Sequence, residues 1–122
     1  MAYAKEQGHE AIDLGTHKGD SVDYPDFAEK CVVEVLRDPS SFGVLTCGTG
    51  IGMSIAANRF KGIRAAVRNN SLESVRLSRA HNHANILCLG GRLVDAAFAR
   101  EALGIFLNTP EENDRHTRRV KK

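Results

Sequence analysis

The sequence predicts an α/β fold, a mainly parallel sheet packed between layers of helices, and three observations carry that expectation. Short apolar runs alternate along the chain with amphipathic helical segments. One run, Asn85-Ile86-Leu87-Cys88-Leu89, is apolar almost throughout, as in a strand buried on both faces. A third stretch, Val44 to Ser54, has an apolar run ending at Cys47, glycines 48, 50 and 52 alternating with Thr49 and Ile51, and a helix-like Ser54-Ile55-Ala56-Ala57-Asn58 after them. It reads as a strand that stops, a loop almost free of side-chain bulk, and a helix that starts.

In order, Met1 to Gly8 has the pattern of a helix end closed by glycine, and Glu10 to Gly15 alternates as a short strand. His17 to Asp23 is a polar loop. Asp23-Tyr24-Pro25-Asp26 opens a helix: Pro25 suits a first turn, and Asp26 and Glu29 suit its positive end. Phe27, Ala28, Cys31, Val32, Val35 and Leu36 share one side of it, and Asp38-Pro39-Ser40-Ser41 ends it. After the glycine loop a helix runs to about Phe60, and Ile63 to Val67 is a strand. Ser71 caps a helix to Ala80, in which Leu72, Val75 and Leu77 are apolar. Gly90-Gly91 turns the buried strand into a last long helix, Val94 to Leu107. A domain of this kind opens with a strand, whereas this chain opens within a helix, so a first strand is expected to be missing. Residues 1–122 form a single domain, and 108–122 form a basic C-terminal tail.

Composition narrows the function. With 122 residues, 42% hydrophobic and 26% charged, the chain matches a water-soluble globular protein, and no apolar run is long enough to span a membrane. A net charge of +2 implies no nucleic-acid surface. Cys31, Cys47 and Cys88 are odd in number and lack metal-ligand spacing, which points to free thiols in a reducing cytoplasm. Arg115, Arg118, Arg119, Lys121 and Lys122 crowd the last eight residues, as a solvated basic tail or as a set of phosphate ligands.

Alternating glycines allow backbone amides to converge at the positive end of a helix, where an anion or a developing oxyanion would sit. Cys47 stands at the lip of that loop, where a thiolate would be stabilised. The alternative is a tight turn with a buried cysteine. A phosphatase loop would need arginine where Met53 stands, and a nucleotide-binding loop would need a lysine that is absent. His81-Asn82-His83-Ala84-Asn85 precedes the buried strand, so these polar residues sit at its entrance. A histidine there can move a proton, and an asparagine can hold a hydroxyl. No carboxylate near His81 and His83 in the sequence completes a metal set, and none is expected. Parallel α/β sheets bind ligands beyond the carboxyl ends of their strands, where Cys47, Asn69 and Gly90-Gly91-Arg92 would lie. Arg115 and Arg119, four apart, would share one face of a helix.

Together, Ser21-Val22-Asp23-Tyr24-Pro25, Cys47-Gly48-Thr49-Gly50-Ile51-Gly52, Ala57-Asn58, Gly62-Ile63-Arg64, Ser78-Arg79-Ala80-His81-Asn82 and Arg115-His116-Thr117-Arg118-Arg119-Val120 resemble the sugar-phosphate isomerase family of ribose-5-phosphate isomerase B and the galactose-6-phosphate isomerase subunits. The resemblance runs in order from about Ala4 to the C-terminus. It implies a Rossmann-like three-layer α/β/α domain, a cytoplasmic homodimer with shared active sites, and a place in the pentose phosphate pathway. The implied reaction interconverts ribose 5-phosphate and ribulose 5-phosphate through an enediolate, without cofactor or metal. By the resemblance Cys47 is the base, and the loop holding Gly48, Gly50, Ile51 and Gly52 grips the enediolate. Thr49 and His81 serve ring opening, Asn82 and Arg92 bind substrate, and Arg115 and Arg119 bind its phosphate. Tyr24 matches a tyrosine near the site.

The departures are specific. Family members begin with a strand ending in an Asp-His-Ala-Gly-like motif, and the match here starts in the following helix, which predicts two exposed strand edges and two fewer substrate ligands. His83 stands where the family has Asp or Asn, and the segment from Arg68 to His81 is one residue longer. Two alternatives stay beside the leading expectation: a six-carbon isomerase, for galactose 6-phosphate or allose 6-phosphate, and a truncated, non-catalytic sugar-phosphate-binding remnant.

Overall fold

The computed structural model describes residues 9–12, 24–112 and 115–121; the side chain of Tyr24 is not among them. The expected helix end at residues 1–8, the end of the 10–15 strand and the loop before residue 24 lie outside the described residues. From Tyr24 the order is α1 (Tyr24–Arg37), β1 (Gly43–Cys47), α2 (Ile51–Asn58), β2 (Ala65–Val67), α3 (Leu72–Ala80), β3 (Ile86–Gly90), α4 (Ala96–Asn108) and α5 (Arg115–Lys121).

The sheet is parallel, with β3 between β1 and β2. The central position explains the apolar run: every residue of β3 is buried. Ile86 and Cys88 face a core built with Ala28, Cys31, Val32 and Val35 of α1 and Met53, Ala56 and Ala57 of α2. Leu87 and Leu89 face the opposite way, toward Val75 of α3 and Ala102 and Phe106 of α4. Two helical layers thus cover the two faces, and the three-layer α/β/α expectation holds.

Local chemistry sets the boundaries. Ser71 caps α3 as expected, its side chain accepting from Ser74 N at 3.1 Å. Asp95 caps α4 in the same way, accepting from Phe98 N at 2.7 Å, so this helix starts at Ala96 rather than Val94. Such caps are each worth about 1 kcal/mol. The helix after the glycine loop ends at Asn58, short of Phe60, and Asn58 clasps Ala65 through both its carboxamide atoms, accepting from N and donating to O. Arg64 N is bonded to the Asn85 side chain at 2.8 Å, which narrows β2 to Ala65–Val67.

The expected strand over residues 10–15 is not formed in its described part, since residues 9–12 carry no strand. Alternation alone does not hold a strand without a ladder partner. Among the described residues no strand pairs with the outer edge of β1 or of β2. No helix there is long and apolar enough to cross a membrane.

Candidate active site

The register pairs Cys47 with Gly90, so the loop after β1 and the turn after β3 lie side by side at the carboxyl end of the sheet. Gly91 N donates to Cys47 O at 2.7 Å, and Arg92 N donates to Gly48 O at 3.1 Å. The Arg92 side chain lies across Gly48, with its guanidinium carbon 3.3 Å from where a Cβ would stand. Gly50 adopts φ +81°, a left-handed turn that favours glycine, and leads directly into α2. Its amide donates to Cys47 Sγ at 3.1 Å, a bond that a sulfur accepts more strongly as its charge grows. Ile51 N donates to Thr49 Oγ1 at 3.3 Å.

The three thiols are not equivalent. Burial pushes the Cys31 thiol up to about 11, partly offset by a hydrogen bond from the Val44 backbone. Cys88 is pushed up to about 12 by burial first and by the neighbouring thiols second. Cys47 is half-buried, at the mouth of the glycine loop. Of the three, only Cys47 is open in part to solvent.

Asn69, placed at this end of the sheet by the sequence but given no task, clamps the assembly. Its Nδ2 donates to Thr49 O at 2.9 Å, and its Oδ1 accepts from Gly90 N at 2.7 Å.

The remaining predicted residues gather elsewhere. His81 follows α3 and precedes β3, at the amino end of the sheet. The five-residue β3 separates it from the level of Cys47 by roughly 13 Å along the strand. One chain therefore does not bring Cys47 and His81 together. His81 instead stacks on His116 of α5, with ring centroids 3.9 Å apart and planes 10° from parallel. That stack places α5, with exposed Arg115 and Arg119 one turn apart, beside His81. Asn82 and Val120 line a shared groove along β2.

His83 takes φ 52° in the turn after α3, a left-handed position that Asn, Asp and His tolerate better than other side chains. Its Nδ1 lies 3.0 Å from Glu111 Oε2, and its Nε2 lies 3.0 Å from Glu112 O. Arg79, almost fully buried, donates to Ala84 O at 2.6 Å and reaches Glu111 Oε1 at 3.6 Å. Burial holds its guanidinium below the usual arginine range, against the pull of Glu111. His83 and Arg79 thus fasten the segment leading to α5.

Glu112 lies between His81 Nε2 (3.6 Å) and His116 Nε2 (3.9 Å). The carboxylate not found near His81 in sequence therefore arrives from 31 positions away. Only the four-residue spacing of Glu112 and His116 hinted at a shared helical face.

A sequence profile of the ribose/galactose isomerase family matches residues 1–122. Ribose-5-phosphate isomerase B of Escherichia coli is 41% identical over 120 residues, covering 98% of this chain and 80% of that protein. The structure of a ribose 5-phosphate isomerase from Thermotoga maritima superposes with a TM-score of 0.93 at 49% identity, covering 98% of this chain and 82% of that one. Ribose-5-phosphate isomerase B of Clostridium thermocellum gives 0.93 at 46% identity, covering 98% and 80%. The chain belongs to the ribose/galactose isomerase family.

Proposed function

We propose that this chain is an aldose–ketose isomerase that interconverts ribose 5-phosphate and ribulose 5-phosphate, a cytoplasmic enzyme of the pentose phosphate pathway working as a homodimer with shared sites. The observation that carries the reading is the Cys47 loop: a half-buried sulfur receives the Gly50 amide at the head of α2, beside Arg92. Relatives and solved structures at 41–49% identity bear the name of that activity.

In this reading Thr49 and His81 open the sugar ring, with His81 handling the proton. The Cys47 thiolate then removes the proton from C2; the C–H electrons form a C1–C2 double bond, and the carbonyl electrons move onto oxygen. Amides of the Gly48–Gly52 loop hold that oxygen, each such donor contributing about 3–4 kcal/mol in comparable reactions. The C2 hydroxyl proton passes to the C1 oxygen, the O2 electrons form the C2 carbonyl, and return of the abstracted proton to C1 gives the ketose. Asn82 and Arg92 orient the hydroxyls, and Arg115 and Arg119 bind the phosphate, so that binding energy remote from the reacting carbons positions them.

Cys47 and His81 lie at opposite ends of one sheet, which supports a site shared between two chains. A two-fold pair lets the His81–α5 end of one protomer complete the Cys47 end of its partner. Ile51 and Ile55, one turn apart on α2 beside the glycine loop, are each about half exposed, which suits burial at such an interface. Turnover of ribose 5-phosphate by the purified chain tests the proposal. Cys47→Ala should stay folded and lose roughly 10²–10⁴ in kcat. Unchanged turnover in that variant removes the base assignment, and no turnover by the folded parent removes the function.

A further inference from the structure

Both ring nitrogens of His83 face oxygens that accept. Nδ1 lies 3.0 Å from Glu111 Oε2, and Nε2 lies 3.0 Å from Glu112 O. A carbonyl oxygen can only accept, so Nε2 carries a hydrogen. A carboxylate oxygen accepts as well, so Nδ1 carries the second and the ring is an imidazolium. When one proton leaves, one ring nitrogen presents its lone pair to an oxygen lone pair. With its side chain only 7% exposed, His83 has little water to take over the lost bond.

The other charges around the pair do not replace that bond. Arg79 of α3 reaches the second carboxylate oxygen, Glu111 Oε1, at 3.6 Å, and Arg64, just ahead of β2, donates through Nε to His83 O at 2.8 Å. The Glu112 carboxylate turns toward His81 and His116 instead. The backbone beneath the ring is fixed: His83 sits at φ 52°, and its amide donates to Arg79 O at 3.3 Å.

What the ring fastens is the approach to α5. Glu112 O accepts from His83 and also from Thr117 Oγ1 at 3.2 Å, and Thr117 stands between Arg115 and Arg119 on the helix. We propose that doubly protonated His83, paired with Glu111, is a latch that positions α5, and that loss of one proton loosens the helix and weakens sugar-phosphate binding. His83 is a positioning residue here, acting through Glu111 and Glu112 on Arg115 and Arg119. The binding consequence rests on the phosphate role given to those arginines above, whereas the latch does not.

The test follows the purified chain from about pH 5.5 to about pH 8.5, across the range in which histidines titrate. Nitrogen-15 spectra of the histidine-labelled protein, assigned with His83→Asn, should show both ring nitrogens of His83 protonated at the acid end and one at the alkaline end. The methyl signals of Thr117 and Val120 on α5 should move with that step. Asparagine tolerates the left-handed turn and does not titrate, and in Glu111→Gln the amide can accept from a protonated Nδ1 or donate to a bare one. Both variants should lose this movement of α5, while shifts caused by His81 and His116 remain in all three proteins. KM for ribose 5-phosphate should rise about three- to tenfold across the step in the parent relative to either variant, with kcat profiles running parallel. A bare Nδ1 at the acid end, or α5 methyls that ignore the His83 step, overturns the latch. The spectra need no turnover, so they judge the latch separately from the isomerase reading. A movement of α5 with no matching change in KM contradicts the phosphate role of Arg115 and Arg119 and leaves the latch standing.

Discussion

The carboxamide oxygen of Asn69 accepts a hydrogen bond from Gly90 N at 2.7 Å. The same side chain donates to Thr49 O at 2.9 Å, so one residue after β2 ties the loop after β1 to the end of β3. Loss of two such bonds costs about 1–3 kcal/mol, or roughly tenfold or more in an equilibrium between ordered and loose loop. Asn69→Ala should therefore lower kcat about tenfold while KM for the phosphate-bearing substrate changes little. A selective rise in KM would show that Asn69 binds substrate rather than positioning the loop.

Gly90 and Gly91 make a matched pair. A Cβ on Gly90 would stand 2.7 Å from the Thr49 carbonyl carbon and oxygen, whereas one on Gly91 meets nothing closer than 3.7 Å. Gly90→Ala should cost about 1–3 kcal/mol in urea unfolding and reduce turnover, because the backbone under the glycine loop must move. Gly91→Ala should leave stability within about 0.5 kcal/mol of the parent. Equal stabilities for the two variants would mean that the loop does not sit on β3 as described.

Thiol reactivity follows from burial. With pKa values raised to about 11 for Cys31 and about 12 for Cys88, both thiols stay protonated and shielded near pH 8. Iodoacetamide at about pH 8 should label Cys47 first in the native protein and all three cysteines after denaturation. Mass spectrometry of the peptides reads the result. Equal labelling of Cys88 in the native state would contradict its place in the core.

Arg115 and Arg119 are exposed on α5, so their removal should leave the melting temperature unchanged. As charge-assisted phosphate ligands, each should raise KM about 10–100-fold when replaced by alanine. A change in KM below twofold in both variants would return the tail to a solvated basic helix.

The sheet was legible because β3 is buried on both faces and could be written in little but apolar residues. Cys47, the glycines and Arg92 were legible together because they follow directly from adjacent parallel strands. The placement of His81 was legible in part: the residues before β3 enter the buried strand at its amino end, whereas Cys47 lies at the carboxyl end, but the stacking partner His116 comes from the far C-terminal helix. Glu111 and Glu112 escaped notice because their partners, His83, His81 and Arg79, lie about thirty residues earlier, beyond any local spacing rule. Asp95 was passed over as a cap because Val94, the apolar residue before it, extended the helical pattern backwards. His83 meets a backbone need that sequence spacing does not show, a left-handed residue after α3.

The central claim is an isomerase whose site is built from two chains, and subunit complementation tests it most directly. Cys47→Ala and a His81→Ala/Arg115→Ala/Arg119→Ala variant should each be inactive, and each should be shown to be folded. When equal amounts are unfolded, mixed and refolded together, half of the dimers are hybrids, each with one intact site, so about one quarter of wild-type ribose 5-phosphate turnover should return. If the mixture stays inactive although hybrids form, Cys47 and His81 do not work across the interface, and the shared-site account is wrong.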